Sequence, residues 1–489
     1  MGRSTSTSVS KNDALISVLV GLLVFLMAAR APLDSDLFWH LRAGETSLAT
    51  LRPVLSDSMS YTRAGAAWVN HSWLGQVLLA VFYNLGGWGG LSLWVAGSAS
   101  VMMLGVYGLM EAPPLWRAFV IVLACLVVAP LWTPRPQLFS LLLLVGLEVL
   151  LVRWRQGRAH LAWVVPLFVL WSNLHGGYPL GLILIACWIA GELLNRLFGR
   201  PEALPPRRLA QLGLAGLVSW LAVAINPNGI AMWTIPFQTI GVGVLRQAIP
   251  EWASPDFHEL YQQPFLWMLV GLLGFLGLSG KGVEGKALVK VAVFAGMGLA
   301  ARRNFGPFGL LAAPLLADMG WEVLGRIARR LAGSAGSTMR SGGARTQRVF
   351  YLAILALVAL AAGIKLVAVN QPELLDSFMG QNYPVAAAAY LRRESPPGRL
   401  FSSYAWGGYL DWALPEYPVF IDGRTDLFGD EITAEWLKID SLGSGWEDSL
   451  ERWQVRLVLL EPGHPLLQEL ERRGWRELFR SDNAVAYGR

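Results

Sequence analysis

The chain reads as an α-helical polytopic membrane protein with about eleven transmembrane helices and a small soluble α/β domain at its C-terminal end. Three observations predict this. Of its 489 residues, 54% are hydrophobic and only 15% charged, with a mean hydropathy of +0.44, outside the range of ordinary soluble domains. Apolar runs long enough for a bilayer recur from residue 14 to about residue 369. Beyond residue 370 the pattern shifts to short helix and strand signatures.

The polar start "MGRSTSTSVSKND" leads into a run from Ala14 to Leu33. It reads as a retained first helix, because two acids follow at once and no small-residue cleavage site does. Further runs lie near 91–110, 116–133, 137–152, 161–177, 178–195, 209–225, 264–279, 286–301, 305–320 and 349–369. "WLGQVLLAVFYNL", from Trp73 to Leu85, is apolar but short, and reads as interfacial or re-entrant. With a cytoplasmic N-terminus, the loops "RWRQGR" and "RLFGRPEALPPRR" and the 321–348 loop with six arginines all fall inside, as the positive-inside bias requires. Within that last loop, the Gly/Ser/Arg-rich 331–348 segment reads as a flexible linker. The same parity gathers residues 34–90, 226–263 and 371–489 on the outer side, so the chain divides into a membrane module, 1–370, and an extracytoplasmic domain, 371–489. In that domain "VAAAAYLRR" and "PLLQELERRGW" read as helices, and "PVFIDGR" and "VRLVLLEP" as short buried strands. The net charge of +6 sits mostly in the arginine loops, which fits topology and not nucleic-acid binding. Cys125 and Cys187 lie inside apolar runs with neither disulfide nor metal-ligand spacing. No internal repeat of the transporter kind is visible.

Chemistry concentrates on the outer face. In "LDSDLFWHLRAGE", Asp34 and Asp36 follow the first span, and on a helix starting near Asp36 the imidazole of His40 shares its face. Phe38 and Trp39 would seat that helix in the membrane interface. "WVNHSW" returns His71 to the membrane, and "WSNLHGGY" places His175 at the outer end of a span. "TPRPQ" brings Arg135, and "ARRNFGP" brings Arg302, Arg303 and Asn304, against the bias that holds elsewhere. Each also has a structural reading. Asp34 and Asp36 are N-cap residue types, the tryptophans suit an aromatic belt, His175 suits a packed histidine, and outer arginines can snorkel to head groups. In the C-terminal domain, Asp422 and Arg424 of "FIDGRTDLFGDE" either grip an acceptor or stitch the domain by salt bridges. Tyr404, Trp406 and Tyr409 either stack on a sugar or fill the core.

"DSDLFWHLRAGE" with "SYTRAGAAWVNHSWLGQVLL" resembles the first outer loop of bacterial GT-C membrane glycosyltransferases. "RPQLFSLLLL", "NPNGIAMW", "EWASPDF" and "FSSYAWGGYLDWALPEYPVFIDGRTDLFGD" are similar to a group of GT-C-like bacterial membrane proteins over nearly the whole chain. The resemblance implies a location in the bacterial inner membrane and transfer of a sugar from a polyprenyl-phosphate carrier on the outer face to a glycan, lipid or protein acceptor, with Asp34 or Asp36 as catalytic acid residue. The D-S-D spacing and the "NHSWL" return depart from the usual pattern of that class, in which Glu or Arg directly follows the acid. Displacement at an anomeric carbon needs a base, assigned here to Asp36 with Asp34 as substitute. The departing phosphate asks for arginines or a divalent cation, Mg or Mn. Arg302 and Arg303 suit the phosphate, while His40 and His71 would position base, phosphate or metal. Two rivals are a lipid or polysaccharide flippase and a non-catalytic GT-C-like scaffold.

Overall fold

The computed structural model describes residues 11–237, 243, 250–280, 282–332 and 344–489. All eleven apolar runs fall on helices: α1 (Lys11–Ala28), α3 (Trp73–Gly108), α4 (Pro114–Val128), α5 (Gln137–Arg155), α6 (Val164–Leu174), α7 (Pro179–Leu197), α8 (Pro206–Ala222), α9 (Gln263–Ser279), α10 (Gly285–Ala300), α11 (Phe305–Ala332) and α12 (Ala344–Val369). A further helix, α2 (Leu37–Thr50), follows the two acids. Local chemistry sets many of the ends. Proline opens α4, α7 and α8, where its missing N–H costs nothing, and Gly280 closes α9 with φ 62°. The segments of α3, α4, α5, α7, α9, α11 and α12 are long and apolar enough to cross a membrane, while those of α1 and α6 are apolar but shorter. At 17 and 16 residues, α8 and α10 are short as well. The chain is a multi-pass membrane protein. The core of the linker expected at 331–348, residues 333–343, lies outside the described residues.

The α3 segment is two helices. Gly87 has φ 55° and ψ −142°, impossible inside a helix. The rings of Phe82 and Trp94 stack with centroids 5.1 Å apart, whereas twelve residues of unbroken helix would separate them by about 18 Å. Trp73–Leu85 therefore folds back on the start of the following span. A Cβ at Gly90 would stand 2.1 Å from the Phe82 carbonyl oxygen, so the turn needs glycine there.

Two buried acids of the helical core are paired with cations, as burial away from water demands. Glu148 of α5 meets Lys290 of α10 and accepts from Trp188 of α7 at 2.8 Å. Glu192 of α7 meets Arg155 of α5. These pairs tie α5, α7 and α10 together. Large aromatic side chains, Trp171, Trp188, Phe265 and Phe308 among them, fill the rest of the helical core.

After α12 come α13 (Pro372–Asn382), α14 (Val385–Glu394), β1 (Arg399–Ser402), α15 (Gly407–Ala413), α16 (Thr425–Asp440), α17 (Trp446–Arg452), β2 (Val455–Leu460), α18 (Pro465–Arg472), β3 (Arg476–Arg480) and β4 (Val485–Gly488). The strands form one sheet in the order β1-β2-β4-β3, parallel only between β1 and β2. "VRLVLL" becomes β2, buried along nearly its whole length, as an inner strand covered on both faces should be. "PVFIDGR" corrects the sequence expectation: it joins no strand ladder, and makes only a single bridge between Val419 and Ser60 of the α2–α3 loop. Its apolar residues are buried by tertiary packing, with Phe420 and Ile421 sealed in the core of the C-terminal residues.

That bridge begins an extensive junction. Val419 N–H donates to Met59 at 3.0 Å and Tyr61 N–H to Val419 at 3.1 Å, and the Thr62 hydroxyl donates to the Phe420 carbonyl at 2.6 Å. Phe38 also corrects an expectation. It lies fully buried against Tyr383 and Tyr409, centroids 4.8 and 5.3 Å away, instead of anchoring α2 in lipid. Burying such a ring contributes roughly 1.5–3 kcal/mol.

Candidate functional site

Five separated segments converge where the α1–α2 loop meets the C-terminal residues. Asp34 Oδ1 accepts from Asp36 N–H at 3.0 Å, an Asx turn that starts α2. Asp36 occupies the N-cap position yet makes no side-chain cap bond, so its carboxylate is not spent on the helix. Instead Oδ2 lies 3.0 Å from Arg135 Nη1, and Oδ1 accepts from Trp39 Nε1 at 3.3 Å. Arg135 Nε donates to Asp34 Oδ1 at 2.6 Å. Beyond it, Glu251 Oε2 is 3.6 Å from Arg135 Nη1, and Glu251 Oε1 is 3.9 Å from Arg303 Nη1. The Arg303 guanidinium carbon lies over the Trp252 ring, 4.1 Å from its centroid, a cation–π contact. The cluster holds three carboxylates and two guanidinium groups.

Asp34 has 8% of its side chain exposed and Asp36 25%, so the two acids differ in access. Burial pushes the Asp36 carboxyl up to about 6, with Asp34 and Glu251 adding repulsion and Arg135 pulling the other way. A carboxylate poised near neutral pH is suited to taking a proton. Arg135 is held above its ordinary range, because Asp36, Asp34 and Glu251 outweigh the cost of its own burial.

The extended stretch after Val419 covers this cluster. A Cβ at Gly423 would fall 2.0 Å from Asp36 Oδ1, and one at Gly408 would fall 2.6 Å from the Ser35 carbonyl. Only glycine allows that approach. Arg424 then turns away into the protein, where it is fully buried. It donates to Asp57 Oδ1 at 2.7 Å and to both Asp422 oxygens at 2.5 and 2.9 Å. Asp57 is further satisfied by Met59 N–H and the Ser60 hydroxyl. Asp422 and Arg424 therefore offer no surface to an acceptor, and stitch the C-terminal residues to the α2–α3 loop.

A histidine cluster lies alongside. The rings of His71 and His175 meet edge-on, centroids 5.8 Å apart. His175 Nδ1 pairs with the Ser140 hydroxyl at 2.7 Å, which also accepts from Trp171 Nε1 at 2.7 Å. Burial, reinforced by His71 and Arg303, holds His175 well below the usual imidazole range. His71 Nε2 is 4.0 Å from Asp426 Oδ2, which accepts from Trp68 Nε1 at 3.2 Å. His40 corrects an expectation: its Nδ1 faces Gln76 at 3.4 Å and not Asp36, whose carboxylate is taken by Trp39 and Arg135. Of the two neighbouring arginines, only Arg303 faces the cluster. Arg302 donates to the Tyr261 hydroxyl at 3.0 Å, and Asn304 donates to the Met297 carbonyl, closing α10.

Carboxylates suit Mg or Mn, but here the oxygens of Asp34, Asp36 and Glu251 surround the Arg135 guanidinium. Among the described residues no group of three His, Cys, Asp or Glu is arranged to hold a metal ion. The residues as arranged do not fit one. Asp426, of the same "FIDGRTDLFGDE" stretch as Asp422 and Arg424, is the one of the three that faces the histidines. Glu251, Trp252 and Asp57 are not among the site residues the sequence predicts: the first two lie in the motif "EWASPDF", and Asp57 carries no local signal.

No protein-family model and no curated protein matches the chain. Solved structures do. The chain aligns with ArnT from Cupriavidus metallidurans bound to undecaprenyl phosphate, at TM-score 0.56 and 13% identity over 98% of both chains. It also aligns with the oligosaccharyltransferase AglB from Archaeoglobus fulgidus, in complex with an inhibitory peptide and a dolichol-phosphate, at TM-score 0.57 and 13% identity. That match covers 92% of this chain and 70% of AglB. The chain has a GT-C fold. Within this fold the acid cluster sits at the junction of the helical and C-terminal parts, with residues of both around Asp36.

Proposed function

We propose that this GT-C chain is a membrane glycosyltransferase. It moves a sugar from a polyprenyl-phosphate-linked donor to an envelope acceptor on the outer face of the bacterial inner membrane. Its N-terminus is cytoplasmic, its eleven helices span, and residues 371–489 form the outer domain. The observation that carries the reading is Asp36: a carboxylate free of helix capping, raised toward neutral pH, and set among arginines beside an aromatic-rich wall. The lipid phosphates named in the neighbouring structures point to the donor class.

In this scheme Arg135 and Arg303 bind the donor's phosphate, and Arg135 exchanges its contact with Asp36 for one to the phosphate oxygens. Asp36, so released, takes the acceptor's hydroxyl proton as that oxygen attacks the anomeric carbon. The bond from that carbon to the phosphate oxygen breaks, and the polyprenyl phosphate leaves with the electron pair. Guanidinium groups aimed at the leaving oxygen stabilise its growing charge in a poorly hydrated site. A single displacement of this kind inverts the anomeric centre. His175 and its Ser140 partner fix the wall beside His71.

The test is transfer from a mixed pool of polyprenyl-linked sugars to envelope extracts, with Asp36→Asn and Asp34→Asn at matched expression. Asp36→Asn keeps shape and loses the proton acceptor, so turnover falls ~10²–10⁴-fold while donor binding persists. Loss only at Asp34 moves the base two residues. Loss at neither removes general-base chemistry from this loop.

A further inference from the structure

A cleft lies at the opposite, arginine-rich ends of the helices, away from the residues around Asp36. Between the start of α6 and the face of α8 is a cleft of about 510 Å³. Its floor is Trp154, with the Arg208 guanidinium stacked over the ring at 4.5 Å. Arg208 is held there by bonds to the Trp154 and Arg155 carbonyls at 2.7 and 3.3 Å, which also cap the end of α5. From this floor a lane runs along α8. Gln211, Leu214, Ala215 and Val218 line the cleft at the spacing of one helix face, and Val165 of α6 stands opposite.

The lane's dimensions and chemistry identify its occupant. From Arg208 to Val218 the helix rises about 15 Å, close to the hydrocarbon depth of one leaflet. Its walls are apolar and open: Leu214 is 61% exposed and Val218 38%. Its mouth is polar and cationic, with His160 and Gln211 on the rim and Arg153, Arg158 and Arg207 exposed on the adjoining turns. Among the described residues no carboxylate pairs with those three arginines. Apolar walls one leaflet deep under uncompensated arginines match a diacyl lipid with an anionic phosphate head. Trp163, 64% exposed at the same level, suits the head-group boundary.

We propose that the α6–α8 cleft binds one anionic phospholipid of the cytoplasmic leaflet, with an acyl chain along Leu214 and Val218 and its phosphate among Arg158, Arg207 and Arg208. The positive-inside bias of the flanking loops puts the site on that side. The choice of leaflet rests on the topology proposed above; lipid retention itself does not, since no residue of the cleft belongs to the proposed transfer site.

The experiment is native mass spectrometry of the purified full chain, delipidated and then offered dioleoyl phosphatidylglycerol or dioleoyl phosphatidylcholine. The expected result is retention of one phosphatidylglycerol and little phosphatidylcholine. Arg158→Gln and Arg207→Gln should each weaken retention about fivefold. Leu214→Trp should fill the lane and abolish it. All three positions are exposed, so the variants should fold, which circular dichroism and a melting curve check. Equal retention of the two lipids overturns the proposal, as does undiminished retention in Leu214→Trp. Full competition by inorganic phosphate would mean a free-anion site and also overturns it. So would a chain dimer that Leu214→Trp disperses, because the lane would then be covered by a second copy.

Discussion

Gly423→Ala tests the site without touching a charge. The added methyl would stand 2.0 Å from Asp36 Oδ1 and 2.8 Å from Trp39 Nε1, about 1.4 Å inside ordinary contact with the carboxylate. Something must move, and the covering stretch is poorly placed to do so. Arg424 next to it is locked to Asp57 and Asp422, and Val419 is bonded to the α2–α3 loop on both sides. The Asp36 side chain therefore gives way, losing its 3.3 Å bond from Trp39 and its alignment with Arg135. A displacement near 1 Å at a reacting group costs on the order of 10²-fold in rate, while the crowding itself costs about 1–3 kcal/mol of stability. Sugar transfer from polyprenyl-linked donors, measured against Gly146→Ala, reads the effect. Gly146 is the control because a methyl there meets nothing within 4 Å. Transfer within twofold of the parent in a folded Gly423→Ala protein would refute both the close approach and the role of Asp36.

Three further outcomes follow from the same geometry. Asp36 must be ionised to accept a proton and its carboxyl is raised to about 6, so kcat/KM should climb with pH through about 6 and then level. Arg135 favours the charged form, so Arg135→Gln should move that limb to higher pH, and a limb that stays put or moves down would remove Asp36 as the titrating base. Arg303→Lys loses the planar fork of the guanidinium over Trp252 and should raise the KM for donor severalfold, whereas Arg302→Lys, at a side chain that points at Tyr261, should leave it within about twofold. Equal effects at the two positions would contradict the separation seen here. Arg424→Met strips two buried carboxylates of their partner and should cost roughly 3–5 kcal/mol, visible as a lowered melting temperature; an unchanged melt would show that the buried cluster contributes nothing to the junction.

What the sequence made legible was what periodicity and parity encode. Hydrophobic runs mark helices because each helix is a local object. Parity predicted that Asp34, Asp36, Arg135 and Arg303 gather at span ends, and in the structure Arg135 contacts both aspartates while Glu251 lies between Arg135 and Arg303. Contacts between distant segments left no such trace. Glu251 sits between two arginines through a loop conformation with no repeat to announce it, and Asp57 meets Arg424 across 367 residues. "PVFIDGR" was misread because an apolar quartet looks the same whether a ladder or a tertiary junction buries it. The turn at Gly87 was half visible: Trp73–Leu85 is too short to span, but its folding back on Trp94 is tertiary.

The buried bond between Asp57 and Arg424 also sets a clock. The proposed base is among the first residues made, while the glycine that covers it and the arginine that anchors that cover come late, after all twelve membrane-module helices. At ordinary translation rates of about 5–20 residues per second, the chain spends roughly 20–70 s between the two. Throughout that interval the α1–α2 loop stands with its acids already present and Asp57 without its counter-ion. A nascent or truncated chain that stops before Val419 holds the acids but not the roof over them.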